Sequence, residues 1–206
     1  MPCCIRTLVC SLWTICICAS AGAAEPAQAA LSAVATLDIP RYMGTWHEIA
    51  RYPNRFQEKC VGETRADYTL MPDGNVQVIN SCRLANGDLD VARGLARPVG
   101  GPGSPRLKVR FAPAWLSFIP AVWGDYWVID LDAAYELAVV SEPTRQYLWI
   151  LSRKPDVDAA VLHALETKLR QKGFDIAKLR KTGRESRPGD SGKEHGTADG
   201  RSGETR

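Results

Sequence analysis

The 206-residue sequence has almost no excess charge of either sign and very little histidine. Its 26 basic and 23 acidic residues give a formal net charge of +3. Nucleic-acid-binding domains usually carry a strongly basic face, so we expect no nucleic-acid partner. The three histidines, His47, His163 and His195, are predicted on the outside of a strand, on a helix and in a polar tail. They cannot converge there, and we expect no metal site.

Signatures of catalysis are also missing. No G-x-S-x-G, P-loop or C-x-x-C motif occurs after the first 24 residues. Asp125 and Asp130 flank a predicted strand, where aspartate is usually a turn residue. We therefore expect no catalytic residues and no cofactor.

Cysteine is nearly absent once the first eighteen positions are set aside, because five of the seven cysteines lie within them. Arg6 is followed by an uncharged apolar stretch that ends in small residues, which is the order of a secretory signal peptide. We predict a signal peptide at 1–24 and export, with the periplasm as the expected compartment. The alternatives are an uncleaved membrane anchor or a lipoprotein signal that would attach the protein to the outer membrane. Isoleucine before Cys16 and Cys18 disfavours lipidation.

The last 25 residues contain no Leu, Ile, Val, Phe, Met, Trp, Tyr or Cys. A segment without these side chains cannot bury a core, so we predict a disordered tail at 182–206. The folded domain is then expected at 37–181, which is close to the commonest domain size.

Between these ends, apolar and polar residues alternate as they do in strands with one wet face. The predicted strands are 45–51, 61–70, 75–83, 89–97, 106–111, 126–131, 135–140 and 147–153. Pro72 and Gly74 suit a type I turn between the second and third strands. Eight short strands with brief turns predict an all-β fold, an eight-stranded antiparallel up-and-down barrel that has room for one small ligand. A β-sandwich is the alternative.

One amphipathic helix is predicted after the last strand. It is expected to start near Lys154, Pro155 and Asp156 and to stop at Gly173. Val157, Val161, Leu165 and Leu169 form its apolar stripe, which should pack on the outside of the barrel.

Three motifs follow one another along the chain: Gly44-Thr45-Trp46, residues 124–130 (GDYWVID) and residues 148–153 (LWILSR). They resemble the conserved regions of the lipocalins, most closely bacterial lipocalins of the outer-membrane lipoprotein type and apolipoprotein D. The resemblance covers residues 37–179. It implies that Trp46 plugs the closed end of the barrel and that Arg153 lies across its ring. Gly44, Trp46 and Arg153 are thus expected to be structural.

Strand parity predicts which side chains line the lumen. If Trp46 points inward, so should Glu48 and Ala50 on the same strand. The predicted ligand-binding residues are Glu48, Ala66, Tyr68, Val78, Asn80, Ala92, Val109, Phe111, Tyr126, Val128, Tyr147 and Trp149. Small residues in this set leave volume for an apolar ligand such as a fatty acid or lysophospholipid, unless the aromatic residues fill it. Glu48 is the expected polar anchor for a ligand headgroup.

The segment 112–124 is apolar where a loop should be polar. Strand direction places it at the open end of the barrel, opposite Trp46. We predict that Trp115, Leu116, Phe118 and Ile119 form a lip that touches a membrane or the ligand's apolar tail. The alternative is a loop that folds down and caps the core.

Cys60 and Cys82 are expected to form a disulfide at the mouth, although a bulge or a frayed strand end is needed to bring them together. A reactive thiol is the alternative, because some lipocalins use a cysteine for isomerisation. The predicted function is a lipid carrier of the bacterial cell envelope, as a monomer or homodimer. A lipid-modifying enzyme on the same barrel and a haem or pigment binder are the alternatives.

Overall fold

A computed structural model describes residues 29–182 as an antiparallel barrel with a helix on its outside. The barrel strands are β1 (Gly44–Arg51), β2 (Cys60–Leu70), β3 (Val76–Leu84), β4 (Leu89–Pro98), β5 (Arg106–Arg110), β6 (Gly124–Leu131), β7 (Leu137–Ser141) and β8 (Leu148–Ser152). Each strand pairs with the next, and β1 pairs with both β8 and β2, which closes the barrel. The predicted fold class is confirmed. The predicted signal peptide and residues 183–206 of the predicted tail lie outside the described residues.

The predicted strand boundaries agree with the structure to within about two residues, and the Pro72–Gly74 turn forms as expected. The Gly74 N–H donates to Met71 O at 3.0 Å. In the β2–β3 register Leu70 pairs with Val76 and Ala66 with Asn80. Alternation along these paired strands then sets which side chains face the lumen.

A bulge in β1 changes the direction of its second half. Glu48 pairs with Leu151, but Ala50 pairs with Ile150, so Ile49 is the extra residue. Ala50 therefore packs into the outer core beneath the helix rather than into the lumen, and its predicted inward position is wrong. Arg51, paired with Trp149, takes the lumen-facing position instead.

The helix, α2 (Ala159–Gln171), begins later than predicted. Asp158 caps it by accepting hydrogen bonds from the backbone N–H groups of Ala160 and Val161. Leu162, Leu165 and Leu169 are buried against the barrel, whereas Val161 is 48% exposed. A strict four-residue repeat drifts away from the 3.6-residue helical period, which is why Val161 was wrongly placed on the buried stripe. No helix in the described range 29–182 is long and apolar enough to cross a membrane.

Five short elements are not predicted from the sequence, and three of them are 3-10 turns at Ala114–Leu116, Pro120–Val122 and Ile176–Lys178. A single-turn helix, α1 (Ile39–Tyr42), places Tyr42 in the inner core under the barrel. A two-residue strand, β9 (Arg180–Lys181), pairs with Ala50 and Arg51 of β1, beyond the point where β2 pairs with that strand. Thr182, expected in the tail, donates its N–H to Ile49 O at 2.9 Å.

Candidate ligand-binding site

The closed end of the barrel is built around Trp46, which is fully buried. Its indole N–H donates to Tyr42 O at 2.9 Å, and the Arg153 guanidinium lies 3.9 Å from the centroid of its ring. Gly44 has φ +95°, and a Cβ there would lie 3.3 Å from Arg153 Nη1. The glycine therefore provides both the left-handed backbone and the space for the guanidinium.

The lower half of the lumen is a packed apolar core that includes Trp46. Of the predicted lumen residues, Ala66, Tyr68, Val78 and Val128 are buried in this core, and Val109, Tyr126 and Trp149 pack against it half-buried. The structure thus brings together seven of the twelve predicted ligand-binding residues around one apolar interior.

Three tyrosine hydroxyls meet in that core. The Tyr126 hydroxyl lies 2.9 Å from that of Tyr42 and 3.1 Å from that of Tyr68. Burial is the main cause that raises the pKa of all three, to about 12 for Tyr68. At neutral pH the cluster is therefore uncharged and acts only as a donor and acceptor of hydrogen bonds.

The upper half of the lumen is more open on the side of β4 and β5. β5 ends at Arg110, which pairs with Leu95, so the first residues of β4 have no β5 partner. Ala92 and Phe111 are both exposed there. The Phe111 ring lies directly against Gly94, with ring carbons 2.8 Å from where a Cβ would stand.

Aromatic rings connect the lumen to the rim of the mouth. Trp149 stacks on Tyr147 with ring centroids 5.8 Å apart, and Tyr147 contacts Phe56 at the same centroid distance. Phe56 is 58% exposed. These three residues, which we call the aromatic ladder, offer an apolar path from solvent to the interior.

A polar cluster stands beside the aromatic ladder. Glu48 is 6% exposed, and its carboxylate accepts from Arg51 Nη1 at 2.7 Å, Gln57 Nε2 at 2.6 Å and Thr182 Oγ1 at 2.5 Å. Gln57 Oε1 in turn accepts from Trp149 Nε1 at 2.9 Å. The charge of the buried Glu48 carboxylate is thus paired with that of Arg51.

The loop from β5 to β6 does not cap the core at Trp115 and Phe118. Trp115 is 72% exposed and Phe118 78% exposed, while Leu116 and Ile119 are half-buried. The loop is held at its far end by Trp123, whose indole donates to Ser117 O at 2.8 Å.

The family profile described as "Lipocalin-like domain" matches residues 37–184. The chain belongs to the lipocalin family. Temperature-induced lipocalin-1 of Arabidopsis thaliana is 41% identical to this lipocalin over 163 residues, which covers 78% of this chain and 87% of that protein.

Two further relatives agree with the resemblance expected from the motifs. Outer membrane lipoprotein Blc of Escherichia coli (strain K12) is 38% identical, covering 72% of this chain and 80% of that protein. Apolipoprotein D of Mus musculus is 28% identical, covering 70% and 76%. Among solved structures, insecticyanin of the tobacco hornworm Manduca sexta has a TM-score of 0.59 at 18% identity, covering 76% of this chain and 85% of that one. This last likeness concerns the fold.

The lipocalin contains the expected disulfide between Cys60 and Cys82, with Cα atoms 5.6 Å apart. The irregularity that the pairing requires is present in β2, where Cys60 pairs with Leu84 but Gly62 pairs with Arg83. Because both sulfurs are bonded, neither cysteine is a free thiol in this structure.

Sequence reasoning missed Arg51, Phe56 and Gln57. Phe56 is an aromatic residue in a loop at the mouth, a signal that would have allowed its prediction. Arg51 was hidden by the β1 bulge, and nothing in the sequence marks Gln57. Within residues 29–182 no three His, Cys, Asp or Glu residues are grouped as metal ligands.

Proposed function

We propose that this lipocalin carries a fatty acid, a lysophospholipid or a similar amphiphile, with the apolar tail in the barrel and the headgroup at the mouth. The observation that supports this best is the one-ended interior. Trp46 and Arg153 close the bottom, and the aromatic ladder and the polar cluster border the top. Each methylene transferred from water into such an interior contributes about 0.8 kcal/mol.

Arg51 is the group best placed to attract an anionic headgroup. Its Nη1 is bound to Glu48, and its Nε is buried without a partner among the described residues. Guanidinium binds carboxylate and phosphate in planar, forked geometry. In this proposal Glu48, first expected to touch the headgroup itself, instead orients Arg51 and Gln57.

The exposed aromatic residues Trp115 and Phe118 support contact between the mouth and a membrane. Tryptophan and phenylalanine side chains exposed at one end of a molecule favour the interfacial region of a bilayer. We propose that this contact lets the ligand pass between the bilayer and the barrel with little exposure to water.

We also propose that the protein is exported and that it binds lipid without converting it. The name of the Blc relative, an outer membrane lipoprotein, supports an envelope location. The Cys60–Cys82 bridge fits an oxidising compartment. It also occupies the only two cysteines beyond the predicted signal peptide, so a thiolate mechanism would need its reduction.

Native mass spectrometry of the purified protein, followed by lipid extraction, tests the carrier. We expect a bound amphiphile that is recovered chemically unchanged after incubation with the protein. Ala92→Trp should block the lumen and abolish uptake of a fluorescent fatty acid, whereas Arg93→Trp, on the outer side of the same strand, should not. Equal uptake by the two variants, or a converted product, would contradict the proposal.

Flotation with phospholipid vesicles tests the membrane contact. Trp115→Ser combined with Phe118→Ser should reduce vesicle binding. Val161→Ser, which removes an exposed apolar residue from α2, should leave it unchanged. If the double substitution leaves vesicle binding unchanged, Trp115 and Phe118 do not form the membrane contact.

A further inference from the structure

We infer that the deep lumen binds an uncharged oxygen of the ligand, so that the ligand is an oxygenated lipid with a hydroxyl or carbonyl within its apolar part. This inference rests on the proposed carrier function and narrows the class of ligand. Two independent features support it, a pair of unpartnered polar side chains on the wall and an unused hydrogen-bond donor on the floor.

The wall feature consists of Thr64 on β2 and Asn80 on β3. Asn80 pairs with Ala66, which lies in the inner core, and Thr64 precedes Ala66 by two residues on the same side of β2. The two side chains are therefore diagonal neighbours facing the lumen. Thr64 is 8% exposed, and Asn80 is half-buried.

Neither side chain has a hydrogen-bond partner within the described part of the chain. Thr64 Oγ1 and Asn80 Oδ1 are both buried and unpaired. The neighbours of Asn80 across the strands are Ala66 and Ala92, which have no polar side-chain atoms, and Thr64 lies at the irregularity of β2 between Gly62 and Arg65. Buried polar atoms in folded proteins are almost always satisfied, so the partner must come from what occupies the lumen.

The floor feature is the cluster of Tyr42, Tyr68 and Tyr126. Three hydroxyls carry three donor hydrogens, yet only two hydrogen bonds join them. One donor is therefore left over, whichever way the two bonds point. Tyr126 is half-buried and packs against the inner core from β6, so the cluster borders the space above it.

The two features lie at adjacent levels of the same wall. Tyr68 pairs with Val78, and the next inward pair up is Ala66 with Asn80. Two residues along a strand span about 7 Å. A single ligand oxygen near this height could thus bind Asn80, Thr64 or the tyrosine cluster, with the hydrocarbon continuing above it.

The chemistry of these groups selects a neutral oxygen. Hydroxyls and a primary amide both donate and accept, which suits a hydroxyl or a carbonyl. The inward positions at this height, Ala66, Tyr68, Val78 and Asn80, carry no charge. The cationic lumen residue, Arg51, lies nearer the mouth on β1 than Trp46, which pairs with Ala66. An ionised headgroup at this depth would have no counter-charge.

The experiment measures the affinity of the full-length protein for stearic acid and for monohydroxystearic acids substituted at successive carbons. Each acid competes with a fluorescent fatty acid. We expect at least one hydroxyl position to bind more tightly than stearic acid by roughly three- to tenfold, the usual effect of one added hydrogen bond. Thr64→Val and Asn80→Leu, which keep the side-chain shape, should reduce that preference. Thr167→Val, on the exposed face of α2, should keep it.

The possible results separate this inference from the carrier function. Equal affinity for all the acids, or a preference that survives both lumen substitutions, overturns the oxygen site but not the carrier. Failure of every acid to bind overturns both.

Thermal unfolding gives a second measurement. Because each lumen substitution removes an unpaired polar atom, both should leave the melting temperature unchanged or higher, and a marked decrease would show that Thr64 or Asn80 is already satisfied within the protein.

Discussion

The guanidinium of Arg153 covers the indole of Trp46 at 3.9 Å and also binds the backbone around it. Its Nη1 donates to Thr45 O at 2.9 Å and its Nη2 to Arg41 O at 3.0 Å. One side chain at the end of β8 therefore fastens the start of β1 to the helix α1 beneath it.

Arg153→Lys should destabilise the protein although it keeps the charge. Lysine cannot make the forked contact with two carbonyls, and we expect the free energy of unfolding to fall by about 2 kcal/mol. Urea denaturation followed by tryptophan fluorescence measures the loss. Arg93→Lys, at an exposed position on β4, is the control. If both variants lose the same amount, the Arg153 contacts do not stabilise the closed end.

The barrel and its closed end could be predicted because each depends on a local pattern. Alternation along the strands predicts the eight-stranded architecture, and the resemblance of the three motifs to the lipocalins implies the contact between Trp46 and Arg153. The disulfide followed from the only two cysteines that remain after residue 24. These features need the sequence order of the residues and a fixed period of two.

The polar part of the site could not be predicted, because it depends on an interruption of that period. The bulge at Ile49 turns Ala50 outward and brings Arg51 next to Glu48. Gln57 reaches Glu48 and Trp149 from a loop without any periodicity. Thr182, which donates to Glu48, lies in the C-terminal segment that the composition predicts to be disordered.

Gly94→Ala should be poorly tolerated despite the small change. A Cβ at this position would lie 2.8 Å from both Arg110 O and the Phe111 ring. To relieve this clash, both β5 and the Phe111 ring must move, and overpacking of this kind costs about 1–3 kcal/mol. Thermal unfolding measures the effect. Gly124→Ala is the matched control, because its nearest neighbours are 3.8 Å away. A normal melting temperature for Gly94→Ala would show that the upper barrel adapts freely.

Glu142→Ala should loosen the mouth loop between β7 and β8. The buried Glu142 carboxylate accepts hydrogen bonds from Thr144, from the backbone N–H of Gln146 and from that of Tyr147. Its removal leaves these donors unpaired, at a cost of about 1–3 kcal/mol. Because the loop positions Tyr147 in the aromatic ladder, fatty-acid affinity should fall together with stability. Glu58→Ala, at an exposed position in another mouth loop, should change neither. Lower stability with unchanged affinity would separate the loop from binding.

The buried tyrosines should make the protein lose stability in alkali. Burial raises the pKa of Tyr68 to about 12 and raises that of Tyr42 and Tyr126 as well. In the unfolded chain the pKa of a tyrosine is about 10, so above that pH the unfolded state gains stability by releasing protons that the folded state retains. The stability that these phenols contribute is complete below about pH 10 and is lost as the pH rises toward about 12.

Phenolate absorbance should therefore rise in two steps, the second coinciding with loss of the circular dichroism of the barrel. Tyr68→Phe should reduce the amplitude of the second step. If all phenols ionise at about pH 10 while the barrel stays folded, the cluster is open to water and cannot form the floor of the site.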